Sequence, residues 1–268
     1  MKKVQASVSN HQYRKEKGNL TPFEVYSRYS NALDISIKQL RNILSEVESN
    51  SLKILDVGCS DGLFLINSLP KEKDTEITFL EPSTDPFEKL VKNTGHNKEW
   101  ECINQTFEEF YRNNKEKYDI VLASHLYHFP REGYQELLLQ LISLLKDPGT
   151  LIWIERGIDE ITDFKKRFKT MLLPSKYPEN WTPRNYKRAL EILRSEEGNT
   201  ELILNNSVLR FPCTQKLNEI IAIVEFFLNI EWSSISETTQ NEILEYITVR
   251  ERVLNEEEGI LIYRRYGN

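Results

Sequence analysis

The sequence predicts an α/β fold with a doubly wound, mostly parallel sheet. Residues 53–69, KILDVGCSDGLFLINSL, read as a short apolar strand, a tight polar turn on Gly58 and Gly62, and a short helix. That order forms the first half of a nucleotide-binding βαβ unit. Further along, short apolar runs keep alternating with helical patterns as far as Gly157. After Gly157 the rhythm changes to longer helical stretches and two more apolar runs.

Taken in order, the first helix starts at Thr21-Pro22, with Thr21 as N-cap, Pro22 in the first turn and Glu24 suited to the cap. Its pattern continues through Tyr26, Tyr29, Leu33, Ile37, Leu40, Ile43 and Leu44, with a break near Ser30-Asn31. Strands are expected at 52–57, 76–81, 100–103, 118–123 and 151–154. Helices fall between them. Leu65 and Leu69 share one face; Phe87, Leu90 and Val91 have helical spacing. Thr106 is an N-cap with Glu109 placed for a capping box. Arg131 to Lys146 carries Leu137, Leu141, Leu144 and Leu145 on one side and ends at Pro148-Gly149. Beyond Gly157, helices are expected at 159–173, from Thr182-Pro183 to Arg194, at 216–228 and at 237–255. Glu201–Leu204 is a strand that Val208–Phe211 extends or crosses, and Gly259–Arg264 is the last strand. The sheet is therefore expected to hold seven strands. The stretch of about 45 residues between the last two strands exceeds what a hairpin needs. The expected organisation is an N-terminal helical lid segment (1–50) and a catalytic domain (51–268), in which 212–256 is a helical insertion covering the substrate.

The 268 residues carry 35 basic and 41 acidic side chains, a net charge of −6, which argues against a nucleic-acid surface. The short cluster Lys165-Lys166-Arg167 reads as a solvated helix face. No apolar run approaches a membrane span. The N-terminal stretch is polar and lacks the apolar centre of a secretory signal. Cys59, Cys102 and Cys213 show no metal-ligand spacing, so no metal is expected and a reduced, cytoplasmic setting fits.

The turn Gly58-Cys59-Ser60-Asp61-Gly62 allows three chemistries. A dinucleotide fingerprint wants G-x-G-x-x-G, and Ser60 stands where the second glycine belongs. A nucleophile elbow, G-x-S-x-G, is matched, and Asp119 with His125 or His128 follows in the right order. That elbow, however, belongs in mid-sheet after several strands, and only a helical segment precedes this one. The third is a loop for S-adenosylmethionine, with an acid near the end of the first strand and a second acid at the tip of the next. Asp56 is the first. Glu81, 19 residues after Gly62, is the second and can accept hydrogen bonds from both ribose hydroxyls.

DVGCSDG, the strand ending in Glu81, Gln105-Thr106 before a helix, and YDIVLASHLYHF together resemble a class I S-adenosylmethionine-dependent methyltransferase over residues 50–157. ILDVGCSDG, Glu81-Pro82-Ser83, HLYHF and LRFPCTQKLNEI further resemble the histamine N-methyltransferase-like branch. The resemblance implies a Rossmann-like sheet and a role for each matching residue. Gly58 lets the backbone approach the methionine part of the cofactor, and Asp56 and Ser60 belong to its loop. Glu81 takes the ribose, Ser83 lies near the adenosine, and Gln105 and Thr106 face the adenine. Ser124 and His125 lie beside the sulfonium and its methyl group. The implied acceptor contacts are Asp34 and Glu258; Tyr29, as a lid or core aromatic on the first helix, and Tyr127, as an apolar pocket lining, are further substrate-side candidates.

Methyl transfer from a sulfonium needs the acceptor lone pair held opposite the leaving sulfur. A base helps only where the acceptor must lose a proton, and His125 is the candidate. The expected partner is a small-molecule acceptor methylated on nitrogen or oxygen. A protein or peptide substrate, or a non-catalytic cofactor-binding module, are the alternatives. The sequence leaves the oligomeric state open.

Overall fold

A computed structural model describes residues 20–95, 97–126 and 133–266. The chain divides into two compact units. One comprises residues 33–157, 184–205 and 257–268; the other comprises 1–32, 158–183 and 206–256.

The first unit is built on a seven-stranded sheet whose last two strands run on into the second unit. Its strands are β1 (Ser51–Val57), β2 (Asp74–Leu80), β3 (Trp100–Ile103), β4 (Tyr118–Ser124), β5 (Leu145–Arg156), β6 (Asn199–Arg210) and β7 (Val253–Arg265). Their order is β3-β2-β1-β4-β5-β7-β6. The pairs among β1 to β5 are parallel, and β7 runs antiparallel to β5. This is the mostly parallel, Rossmann-like sheet expected from the alternation.

Alternate side chains of the central strands feed two cores. Leu55, Val57, Val121, Ala123, Leu151, Trp153, Leu261 and Tyr263 pack with α5 (Phe107–Asn113), α6 (Tyr134–Ser143) and α8 (Lys187–Ser195). Ile54, Ile77, Phe79, Ile120, Leu122, Ile152 and Ile260 pack with α2 (Ala32–Glu46), α3 (Leu63–Ser68) and α4 (Thr84–Thr94). Burial on both faces is why these strands read as continuous apolar runs. Trp153 is a core residue, 1% exposed.

The second unit gathers α1 (Pro22–Tyr29), α7 (Glu160–Leu172), α9 (Leu217–Leu228) and α10 (Glu237–Val249). Phe164, Phe168, Phe227 and Tyr246 form its aromatic centre, with edge-on contacts at 5.5–5.9 Å. Tyr26 stacks on Phe226 at 4.9 Å, and its hydroxyl donates to the buried Glu256 carboxylate at 2.5 Å. Ser30 Oγ donates to the other oxygen of Glu256.

Local signals were read closely. Thr21 and Glu24 form the capping box of α1, Thr106 and Glu109 that of α5, and α1 stops at Ser30, which bridges to Leu209. Four segments differ from expectation. Among the described residues α6 ends at Ser143, and Lys146–Gly149 belongs to β5. The Tyr118 N–H bonds the Leu144 carbonyl at 2.9 Å, and the β4–β5 register shifts there, around a cis Asp147-Pro148 bond. The helix expected from Thr182-Pro183 begins only at Lys187. Its approach is held to the sheet instead: the Tyr186 N–H donates to the Arg156 carbonyl at 3.1 Å, and the ring lies against Gly259. Residues 199–210 form one strand, with Asn205 and Ser207 buried within it. The last strand starts earlier than expected because Glu251 and Arg252, both left-handed, turn the chain directly out of α10.

Phe164 is fully buried in the second unit. Phe164→Ala is expected to cost about 3–5 kcal/mol in urea unfolding. Val249→Ala, at a 72% exposed position, is expected to stay within about 0.5 kcal/mol.

Candidate active site

In the first unit, the turn after β1 is fixed by backbone bonds to β2. The Gly58 and Cys59 N–H groups donate to the Leu80 carbonyl at 2.8 and 3.2 Å, and the Gly62 N–H to the Cys59 carbonyl at 3.0 Å. Gly58, Ser60 and Gly62 all have positive φ. At Gly58 a Cβ would come within 2.5 Å of Leu126 Cδ2, so both conformation and close approach call for glycine. Asp61 Oδ1 accepts from the Leu63 N–H at the start of α3.

Glu81 lies just past β2 and is buried. Its Oε2 accepts from the Ser60 N–H at 2.9 Å and its Oε1 from the Ser83 N–H at 2.8 Å, so one carboxylate ties the turn after β1 to the turn after β2. Asn104 Nδ2 donates to the Glu81 carbonyl at 2.8 Å. Asp56, near the end of β1, is also buried and has no hydrogen-bond partner among the described residues. Desolvation first, then the nearby Glu81 charge, push its carboxyl up to about 8.

At the end of β4, Ser124 is half-buried and His125 adopts a left-handed backbone, its N–H donating to the Ile154 carbonyl at 2.9 Å. His125 Nε2 lies 2.9 Å from Glu258 Oε2. Glu258 reaches this end because β7 is antiparallel: it pairs with Arg156 at the carboxyl end of β5. Its Oε1 accepts from Ser36 Oγ and, at 3.3 Å, from Asn205 Nδ2. Burial alone would raise this carboxyl, but the bond to and charge of His125, with Ser36 and Asn205, hold it below the usual range.

A further buried acid, Glu155, lies one residue before the end of β5. Its Oε2 accepts from Tyr134 Oη at 2.5 Å and from Trp153 Nε1 at 3.3 Å. Burial raises its carboxyl, against the pull of those donors and of Arg184 and His125. Arg184 stands over the Tyr134 ring at 5.1 Å and donates to the Leu126 carbonyl at 3.1 Å.

Asp56, Gly58, Ser60, Glu81, Ser83 and the pair Ser124-His125 thus lie at the strand ends where open α/β sheets take ligands. Gln105 and Thr106 follow β3 and are exposed, and the Thr106 hydroxyl serves the α5 capping box. Asp34 is exposed in the first turn of α2. Tyr29 belongs to the second unit, where its hydroxyl donates to Glu219 and accepts from Lys216 at 3.1 Å. Tyr127, like His128, lies outside the described residues. Sequence reasoning missed Ser36, Asn104, Glu155 and Asn205. Only Asn104 carried a signal, its place beside Gln105 at a strand end.

Asp56→Asn tests the cost of that buried carboxyl. Because the folded value is raised, Asp56 favours the folded state at low pH and loses that contribution as pH rises from about 4 to about 8. Without ligand, the Asn variant is expected to gain stability relative to the native chain between pH 5 and pH 8 in urea unfolding. A constant difference across that range contradicts the assignment.

No curated protein matches the sequence with significance. Residues 55–151 match the profile of a family described as a methyltransferase domain. Among solved structures, the chain is similar to a protein from Bacillus halodurans C-125 assigned as a methyltransferase (13% identity, TM-score 0.57, covering 86% of this chain and 98% of that one). It is also similar to the magnesium protoporphyrin IX methyltransferase of Synechocystis PCC 6803, solved with bound S-adenosylhomocysteine (13% identity, TM-score 0.56, 94% and 90% covered). A third is the YcgJ protein of Bacillus subtilis (10% identity, TM-score 0.54, 85% and 98% covered). These likenesses show a shared fold, and the family match covers residues 55–151, about a third of the chain.

Proposed function

We propose that the chain transfers a methyl group from S-adenosylmethionine to a nitrogen or oxygen of a small molecule. The observation that carries this reading is the buried Asp56 carboxylate beside Glu81, at the end of β1 and above a glycine turn. Two acids held so close favour a ligand that brings positive charge and hydroxyl donors to the same place. S-adenosylmethionine brings an ammonium, a sulfonium and a ribose diol.

The residues present fit that cofactor. A carboxylate offers about four lone-pair directions. The Ser60 and Ser83 N–H groups each bond one oxygen of Glu81, so both oxygens can still accept from a ribose hydroxyl. Asp56 and the bare backbone of Gly58 suit the methionine part. Ser83, Gln105 and Thr106 are assigned to the adenosine, the last through its backbone, since its hydroxyl caps α5. The bound cofactor supplies an electrophilic methyl group. The chain's own contribution is to hold the acceptor in line, keep water out and take up a proton. Ser124 and His125 are assigned to the acceptor side, with His125 as the proton acceptor. Asp34 and Tyr127 stand as the further acceptor contacts. ILDVGCSDG, Glu81-Pro82-Ser83, HLYHF and LRFPCTQKLNEI support placing the chain in the histamine N-methyltransferase-like branch.

Calorimetric titration with S-adenosylhomocysteine tests the cofactor assignment, and absence of binding at millimolar ligand refutes it. Glu81→Ala is expected to weaken binding by about 1–3 kcal/mol, the scale of hydrogen bonds to a charged group. An unchanged affinity removes Glu81 from the ribose.

A further inference from the structure

In the second unit, the last turn of α7 and the segment after it gather donors that have no acceptor. The Leu173 carbonyl accepts from the Lys176 and Tyr177 N–H groups at 3.0 and 2.8 Å, which curls the chain into a tight turn at the end of the helix. Lys169 Nζ then stands 5.2 Å, and Lys176 Nζ 5.5 Å, from the centre of the Tyr177 ring. The Trp181 ring lies edge-on to the same tyrosine at 4.6 Å. Lys169, Tyr177 and Trp181 are half-buried. Among the described residues, neither ammonium, nor the Tyr177 hydroxyl, nor the Trp181 N–H has a hydrogen-bond or ion-pair partner. Glu179, the only acid in residues 164–183, is exposed and makes no ion pair among the described residues.

A lysine in the last turn suits the helix dipole, and an aromatic face suits one cation. Neither accounts for two ammoniums meeting at one ring, where each raises the cost of the other's charge. Burial first, and then the charge of Lys176, push the Lys169 amine down to about 8. We propose that Lys169, Lys176, Tyr177 and Trp181 form a binding site for a phosphate group, carried by inorganic phosphate or by a phosphate monoester. Two ammoniums match a phosphate, whose charge near neutral pH is about −1.5 to −2. A carboxylate brings a single charge and leaves one ammonium unmatched. The tyrosine hydroxyl and the indole N–H add two neutral donors for the remaining oxygens. A bound anion removes the mutual repulsion of the two lysines and gives the half-buried one its missing partner. The proposal goes beyond the methyltransferase reading and does not depend on it.

Tryptophan fluorescence of the full chain reads the site. Among the four tryptophans, the share of Trp181 is the response lost in Trp181→Phe. Inorganic phosphate, exchanged for sodium chloride at fixed ionic strength and neutral pH, is expected to change the emission saturably. Lys169→Gln and Lys176→Gln should each weaken binding by about 10–100-fold, the scale of a hydrogen bond to a charged group. Lys169→Arg keeps the charge and should lose less. Carbon NMR of the chain after reductive methylation with labelled formaldehyde gives a second readout. The Lys169 signal, identified by its loss in Lys169→Gln, should titrate below the other lysines and move up when phosphate is added. Phenyl phosphate binding more tightly than inorganic phosphate upholds the site and assigns it to an ester; the reverse upholds it and assigns it to the free ion. Acetate binding as tightly as phosphate at fixed ionic strength overturns the proposal. So does a phosphate response that survives both glutamine variants, or a Lys169 titration that phosphate leaves unmoved.

Discussion

Burial of the central strands on both faces is the constraint from which the rest of the first unit follows. Ile54, Leu55, Ile77, Val121, Leu122, Ile152 and Leu261 fill the middle of the sheet with apolar side chains. Each backbone N–H and C=O there is spent on neighbouring strands. Ionisable side chains then collect near where the ladder stops. Asp56, Glu81, His125 and Glu155 lie within a residue of a strand end, and Glu258 lies where the antiparallel strand begins to pair with β5. The buried acids gather at that rim because the apolar middle of the sheet offers a charged group no solvation.

The rim concentrates acidic side chains, and each is accommodated differently. Glu81 is held by two backbone N–H groups, Glu155 by a tyrosine and a tryptophan, and Glu258 by histidine, serine and asparagine. Asp56 alone among them has no such donor among the described residues, and its carboxyl is the one raised to about 8. Unequal satisfaction separates the acids that donors hold from the one whose carboxyl burial raises to about 8.

What the sequence made legible was local. Capping boxes at Thr21/Glu24 and Thr106/Glu109 lie within one helical turn, and the Gly58–Gly62 turn with Glu81 has fixed spacing. The contents of each strand follow from apolar runs that any neighbour of the sheet would require. What stayed hidden was set by distant partners. Lys146–Gly149 looks like a helix end until the partner strand claims it. Tyr186 stays out of the helix because Arg156 and Gly259, far away in the chain, hold it. Ser36 and Asn205 carry no pattern that announces a shared carboxylate 222 and 53 residues on.

The chain passes between its two units after residues 32, 157, 183, 205 and 256, and β6 and β7 each run through one of these passages. Neither unit is therefore a continuous length of polypeptide. A growing chain has made β1 to β5 long before it has made β7, which lies directly beside β5. The histidine at the end of β4 likewise waits for a carboxylate that is synthesised more than a hundred residues later. The meeting of His125 with Glu258 is among the last contacts of the first unit to form, and it comes into being only when the antiparallel strand joins the sheet.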